Sequence, residues 1–233
     1  MSAGGPILRD HLSLTEKVYA TLRDMIMSSE LAPGTRLKDA VLARQFGVSN
    51  TPVREALRWL TADSLVIVSP RRGAFVRRLT VEDFRKLSEI RGSLEVLAAR
   101  LAAERASDQA LAEIVQAAEL HLKTVGSGAR TKYLALDRRF HAVIAEASGN
   151  EILVSMLNSI ADRIQIARYL DRSKEQDLLS GKEHVAIAEV LASRDGGKAS
   201  ELMMKHVNEN RDRTIALLDR LSEGNGPNQD TSQ

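Results

Sequence analysis

Gly47 constrains this chain more than any other residue. It separates two short stretches of helical apolar spacing: Leu42 and Phe46 before it, then Val53, Ala56, Leu57 and Leu60 after it. A glycine just past a helix end closes that helix in the left-handed conformation. The segment that follows, "VSNTPVREALRWL", begins a new helix at once. Thr51 can cap it, with Pro52 as its first residue, where a missing N–H costs nothing. A helix from about Lys38 to Phe46, a glycine turn and a second helix form the helix-turn-helix pattern. An earlier helix starts at the capping box of Ser13 and Glu16, carries Leu14, Val18, Leu22, Met25 and Ile26, and stops before Pro33 and Gly34. Downstream, "LVIV" and "AFV" flank "SPRRG", which predicts a hairpin with Gly73 in its turn and Arg71 and Arg72 at its tip.

Such a module can enter the major groove end-on. The first turn of its second helix presents Ser49, Asn50 and Thr51 to phosphates and base edges, and Arg54 can reach a guanine edge or a phosphate. The arginine-tipped wing can follow the backbone or enter the minor groove. Arg58, Arg77 and Arg78 are equally readable as a solvated face. Charge agrees with this division. Residues 1–79 carry 12 Lys/Arg against 7 Asp/Glu, net +5, whereas 80–233 carry 21 against 24, net −3. A basic front on a mildly acidic back suits a nucleic-acid-facing module joined to something else.

From Thr80 onward the pattern is helical. Leu (30) and Ala (29) make up about a quarter of the chain, while Trp, Tyr and Phe total 8, which favours helices over sandwiches or barrels. Thr80 caps a predicted helix to about Ala106, and Ser107 caps one from Asp108 to Val125. Further helices are expected over Thr131–Ser148, from Asn150 to about Leu170, over Lys182–Arg194, and from about Lys198 to Leu221. "DRSKEQDLLSGK" reads as a polar connection, possible helical turn included, and "DGG" as a break. The fold class is therefore mainly α: a winged helix-turn-helix over 13–79 and an all-α six-helix bundle over 80–221, with disordered tails at 1–12 and 222–233. No cysteine is present, which excludes disulfides, a thiol nucleophile and Cys-ligated metal. No apolar run reaches the ~18 residues of a membrane span, and the opening "MSAGGPILRDHLSLTEK" lacks a signal-peptide core. A cytoplasmic protein with no membrane partner is expected.

Bundles build ligand sites between facing helices. Asp137 and His141 are i and i+4, ~40° apart on one helix face, and can grip one cation. His184 opens the fifth bundle helix and His206 lies in the sixth. One carboxylate and three imidazoles suit Zn²⁺, Ni²⁺, Fe²⁺ or Mn²⁺, with positions left open for water or a ligand oxygen. From spacing alone each histidine is also readable as an ordinary polar residue. His121, between Leu120 and Leu122, reads as a surface or packed side chain, and His11 falls in the tail.

Two resemblances sharpen this. "LAPGTRL…LARQFGVSNTPVREALRWLTADSLV…PRRGAFV" resembles the winged-helix domain of the GntR family of bacterial transcriptional regulators over about Leu14–Val76. That resemblance implies DNA contacts from Ser49, Asn50, Thr51, Arg54 and the wing around Gly73, with Arg71 and Arg72. Asn50 and Ala40 stand where the family usually has Arg, and Ser64 where Gly is frequent. Asn pairs bidentately with adenine, Arg with guanine, so an operator shifted at that base is expected. "LDRRFHAVIAEASGN…KEHVAIAEVLASRDGGKASELMMKHV" resembles the FCD effector domain of the FadR subfamily. Its metal-binding members imply Asp137, His141, His184 and, 22 residues on, His206 as ligands of a divalent metal, zinc first and nickel, manganese or iron behind it. The resemblance further implies a small carboxylate effector, a homodimer and a palindromic double-stranded operator, with repression as the commoner sense. Arg91, in "IRGSLEVLAARLAA", matches the family's R-x-x-L-E stretch and is expected to line the pocket. Arg163, with Arg168, is a further effector candidate. The rival reading is a metal-dependent hydrolase with an appended winged helix.

Overall fold

A computed structural model describes residues 12–168 and 173–224. The chain divides into two compact units, with the boundary between Arg78 and Leu79. The tails expected at 1–12 and 222–233 lie mostly outside the described residues, as do His11 and Leu170.

The first unit holds α1 (Leu14–Met27), β1 (Arg36–Leu37), α2 (Asp39–Phe46), α3 (Asn50–Ala62), β2 (Val66–Ser69) and β3 (Gly73–Val76). The capping box forms as expected: the Glu16 N–H donates to Ser13 Oγ at 3.2 Å and the Ser13 N–H to Glu16 Oε2 at 2.6 Å. Gly47 closes α2 at φ 66°, in the left-handed region where a side chain is strained. The α3 start differs from expectation. Ser49, not Thr51, occupies the cap, so Thr51 and Pro52 sit inside the first turn. This moves the cap two residues nearer Gly47 and shortens the turn between the helices. Val18, Leu22 and Ile26 of α1 meet Val53, Ala56, Leu57 and Leu60 of α3 in a buried core closed by Leu65, Val66 and Val76.

The wing is a three-stranded antiparallel sheet of order β1-β3-β2, with Arg36 opposite Phe75 and Val66 opposite Val76. Strand β1 was not expected; its two residues are too few for any alternation to register. Gly73, expected in the turn, instead opens β3 opposite Ser69, and Arg71 takes the left-handed turn position at φ 63°.

The second unit holds six helices among the described residues: α4 (Val81–Arg105), α5 (Asp108–Lys123), α6 (Arg130–Ala147), α7 (Glu151–Arg168), α8 (Lys174–Ala192) and α9 (Gly196–Gly224). Thr80 and Ser107 cap α4 and α5 as expected. Two starts are corrected. Helix α8 begins about two turns before Lys182, because Ser173 accepts from the Gln176 N–H and acidic Glu175 and Asp177 follow in the positive first turn. The glycine pair does not break the chain. Asp195 Oδ1 accepts the Lys198 N–H at 2.9 Å, and Gly196 begins α9 against the Arg100 carbonyl. Helix α4 lies along α9, and α5 packs on α6 and α8. Aliphatic residues such as Ile114, Ile144, Leu191 and Met203 fill the core. Through that core runs a polar seam of Arg91, Glu95, His121, Asp137, His141, His184, His206 and Asn210, all buried.

Candidate metal centre and nucleic-acid interface

Burying eight polar side chains in one seam is costly unless they pair with one another or with a ligand. Helix α6 turns Asp137 and His141 inward one turn apart, α8 brings His184 and α9 brings His206. The ligand atoms of His141, His184 and His206 lie within 4.8 Å of one another. His184 Nε2 is 3.2 Å from His206 Nε2 and 3.8 Å from Asp137 Oδ1. Asp137 groups with His184 and with His121 rather than with the other two imidazoles, so the four expected ligands form two sets that share His184.

The surrounding hydrogen bonds set the tautomers. A guanidinium has no acceptor. The 2.9 Å contact of Arg91 with His141 Nε2 therefore makes that nitrogen the acceptor, and His141 Nδ1–H donates to Glu95 Oε2 at 3.0 Å. His206 follows the same scheme: Asn210 Nδ2 approaches Nε2 at 3.2 Å, and Nδ1 faces Glu183 Oε2 at 2.6 Å. Carboxylates behind the outer ring nitrogens turn Nε2 into the seam, where a metal would take the place of the Arg91 and Asn210 N–H groups at those lone pairs; this is the arrangement that orients imidazole ligands for a metal. Burial, followed by the neighbouring His206, holds the His184 pKa well below its ordinary value, so that ring is neutral and able to ligate. Burial alone would raise the Glu95 carboxyl, but its contacts with His141 and Arg91 hold it down at about 2. These donors fit a divalent transition metal.

A cavity of about 60 Å³ adjoins this centre. Arg91, Glu95, Asp137 and His141 form its polar end, and Leu134, Leu157, Ile160 and Ile164 are among its apolar walls. Arg91 lines this cavity. Arg163 is half-buried and is not among the lining residues; the Arg168 side chain lies outside the described residues.

On the first unit, Ser49, Asn50, Thr51, Arg54, Arg71, Arg72 and Gly73 are all exposed. Arg54 Nε donates to Asp39 Oδ2 at 2.7 Å, and this bond is the chief reason the Asp39 carboxyl sits below its usual range. The Arg72 guanidinium stacks over Phe75 at 5.7 Å. Beside α3 and the wing lies a groove of about 600 Å³ that also draws on Arg36 and Lys38. Arg77 is partly buried and donates to the Ser64 carbonyl at 2.6 Å, which makes it a structural tie, while Arg58 pairs with Glu55.

Comparison with known proteins now decides the family. The family described as "Bacterial regulatory proteins, gntR family" matches residues 14–76, and the FCD domain matches 86–209. The chain is 32% identical over 194 residues to the Nta operon transcriptional regulator of Aminobacter aminovorans, covering 83% of this chain and 91% of that protein. The chain belongs to the GntR family and carries an FCD domain.

This GntR regulator also superposes on E. coli McbR/YncC with a TM-score of 0.74 at 26% identity, covering 91% of this chain and all (100%) of that one. The Zn²⁺-bound FCD domain of TM0439 matches at a TM-score of 0.50 and 27% identity, over 60% of this chain and 97% of that one. The GntR regulator is a DNA-binding transcriptional regulator; its relatives are named as transcriptional regulators, and the hydrolase alternative finds no support among them. No helix of the described residues is long and apolar enough to cross a membrane.

Sequence reasoning passed over Glu95 and Asn210 of the seam and Glu183 beside it, and read His121 only as a surface or packed side chain. Glu95 was signalled by its i,i+4 spacing from Arg91, and Glu183 by adjoining His184. His121 and Asn210 carried no signal, since their role depends on which face of α5 and α9 meets α6 and α8.

Proposed function

We propose that this GntR regulator is a repressor whose helical domain, residues 80–221, binds a divalent metal and a small carboxylate metabolite and dimerises the chain, while residues 13–79 read a palindromic operator. The observation that carries the reading is a buried centre of imidazoles opening on a cavity whose polar wall includes Arg91. Asp137, His141, His184 and His206 hold the metal, zinc in preference to nickel, manganese or iron. When bound, the metal supplies a Lewis-acidic position for a carboxylate oxygen. Arg91, whose Nε and Nη2 already hold Glu95 and His141, offers its remaining N–H groups to the same carboxylate. Arg163, off the cavity lining, leaves that role to Arg91.

On the DNA side, Ser49, Asn50 and Thr51 open α3 towards the major groove, Arg54 reaches a base edge or phosphate, and Arg71, Arg72 and Gly73 follow the backbone from the wing. A two-fold dimer pairs two such heads with two half-sites. Effector acts by linkage: it shifts the protein towards the state that binds DNA poorly by its differential affinity for that state.

The test is a thermal-shift screen of sugar acids, hydroxy acids and dicarboxylates with zinc present, followed by a DNA mobility shift with the binder. A carboxylate that raises the melting temperature only with metal, and lowers operator affinity, supports the reading. Carboxylate binding that persists after chelation, or operator binding unaffected by every binder, overturns it.

A further inference from the structure

The seam holds a fourth imidazole that the Asp-x3-His, His, His pattern does not contain. His121 on α5 is fully buried, with its ring 4.6 Å from the His184 ring and 4.4 Å from the Tyr133 ring. Its Nε2 is 3.9 Å from Asp137 Oδ1, and that same oxygen is 3.8 Å from His184 Nε2. The ligand atoms of His121, Asp137 and His184 all fall within 4.8 Å of one another. Two ligands of one ion at ~2.1 Å each stand roughly 3.0 Å apart when adjacent and at most roughly 4.2 Å apart when opposite. Both spacings lie inside that band.

Backbone packing brings these groups together. Gly181, one turn before His184, faces Leu122, the neighbour of His121; a Cβ there would lie 2.8 Å from Leu122 Cδ1 and 3.2 Å from its Cα. Helix α8 therefore approaches α5 at a distance only glycine permits, and that approach sets His184 beside His121. Asp137 is turned towards this side rather than towards His141 and His206.

We propose that His121 is a further protein ligand of the metal, bound on the Asp137–His184 side of the seam. The inference rests on the metal-binding reading above. It adds an imidazole to the donor set, which strengthens the preference for zinc or nickel over manganese. It also reduces the positions open to an effector oxygen, so the carboxylate head binds the ion through one oxygen and relies on Arg91 for the other.

The test uses the full chain, stripped with chelator and reloaded with zinc. Affinity is measured by competition with a chromophoric chelator, and bound imidazoles are counted by zinc-edge X-ray absorption. The variants are His121→Ala and His121→Phe, the second filling the same space with an apolar ring so that the fold is kept. Both should bind zinc at least about tenfold more weakly and show one imidazole fewer than the parent. Unchanged affinity and imidazole count in His121→Phe overturn the assignment and leave the metal reading standing. A parent chain that binds no zinc overturns both.

Discussion

Phe140 couples the apolar core to the candidate metal centre, and replacing it separates the two contributions. Its side chain is fully buried in the bundle core, stacked on the His184 ring at 4.0 Å and 18°, with the His141 ring edge-on at 5.3 Å. In Phe140→Leu more than half of the buried side-chain carbons remain. Complete truncation of a buried Phe costs about 3–5 kcal/mol, so the lost volume costs roughly 1–2 kcal/mol. The ring pairing adds roughly 0.5–1 kcal/mol. The variant should therefore unfold about 2 kcal/mol more easily in the presence of chelator, read from urea unfolding with an unchanged slope. The ring is also the floor that orients His184. Loss of such an outer support weakens metal binding about tenfold. At saturating zinc the stability gap then widens by about 1.4 kcal/mol, because the bound ion stabilises the native state in proportion to the logarithm of its affinity. An equal gap with zinc and with chelator would refute the positioning role. A gap under about 0.5 kcal/mol in chelator would refute the packing argument itself.

Other expectations follow from single contacts. Gly47→Ala places a side chain at φ 66° with open space around it, so only backbone strain is felt; about 1 kcal/mol of stability should be lost, with weaker operator binding in a mobility shift. Asp39→Asn removes the charge that holds Arg54 Nε, and base discrimination at the Arg54 position should relax in a binding selection while overall salt dependence stays nearly unchanged. Because the folded Asp39 carboxyl lies below its usual range, that pairing is complete above the unfolded pKa and is lost only as pH falls through the folded one, so operator binding should not respond to pH between about 6 and 8 through this residue. Asn50→Arg should move the preferred base at its contact from adenine towards guanine; identical selected sites in parent and variant would reject base reading by residue 50.

The helix-turn-helix was legible because its signals are local. A capping box, a glycine at a left-handed position and apolar residues spaced by three and four act within a few turns of chain, and they mark α1, α2 and α3 correctly. Where local signals were weak or balanced, the reading slipped. Ser49 took the cap from Thr51, Gly196 and Gly197 entered α9 because Asp195 caps it, and α8 began early once Ser173 could satisfy its first turn. Strand β1 exists only because Arg36 and Leu37 find Phe75 and Ala74 on β3.

The candidate site divides the same way. Spacing along one helix set Asp137 and His141 on a common face, the residues offered His184 and His206 on two other helices, and the resemblance joined the four into one ligand set. What spacing cannot hold is which side of that group each acid and imidazole approaches. The pairing of Asp137 with His121, the carboxylates behind His141 and His206, and the departure of Arg163 from the cavity lining depend on how α4, α5, α8 and α9 rotate against α6. Those rotations come from side-chain volumes meeting across helices, such as Gly181 against Leu122, between residues far apart in the chain. Sequence periodicity reports the face a helix buries; only the packed core decides which partner that face meets.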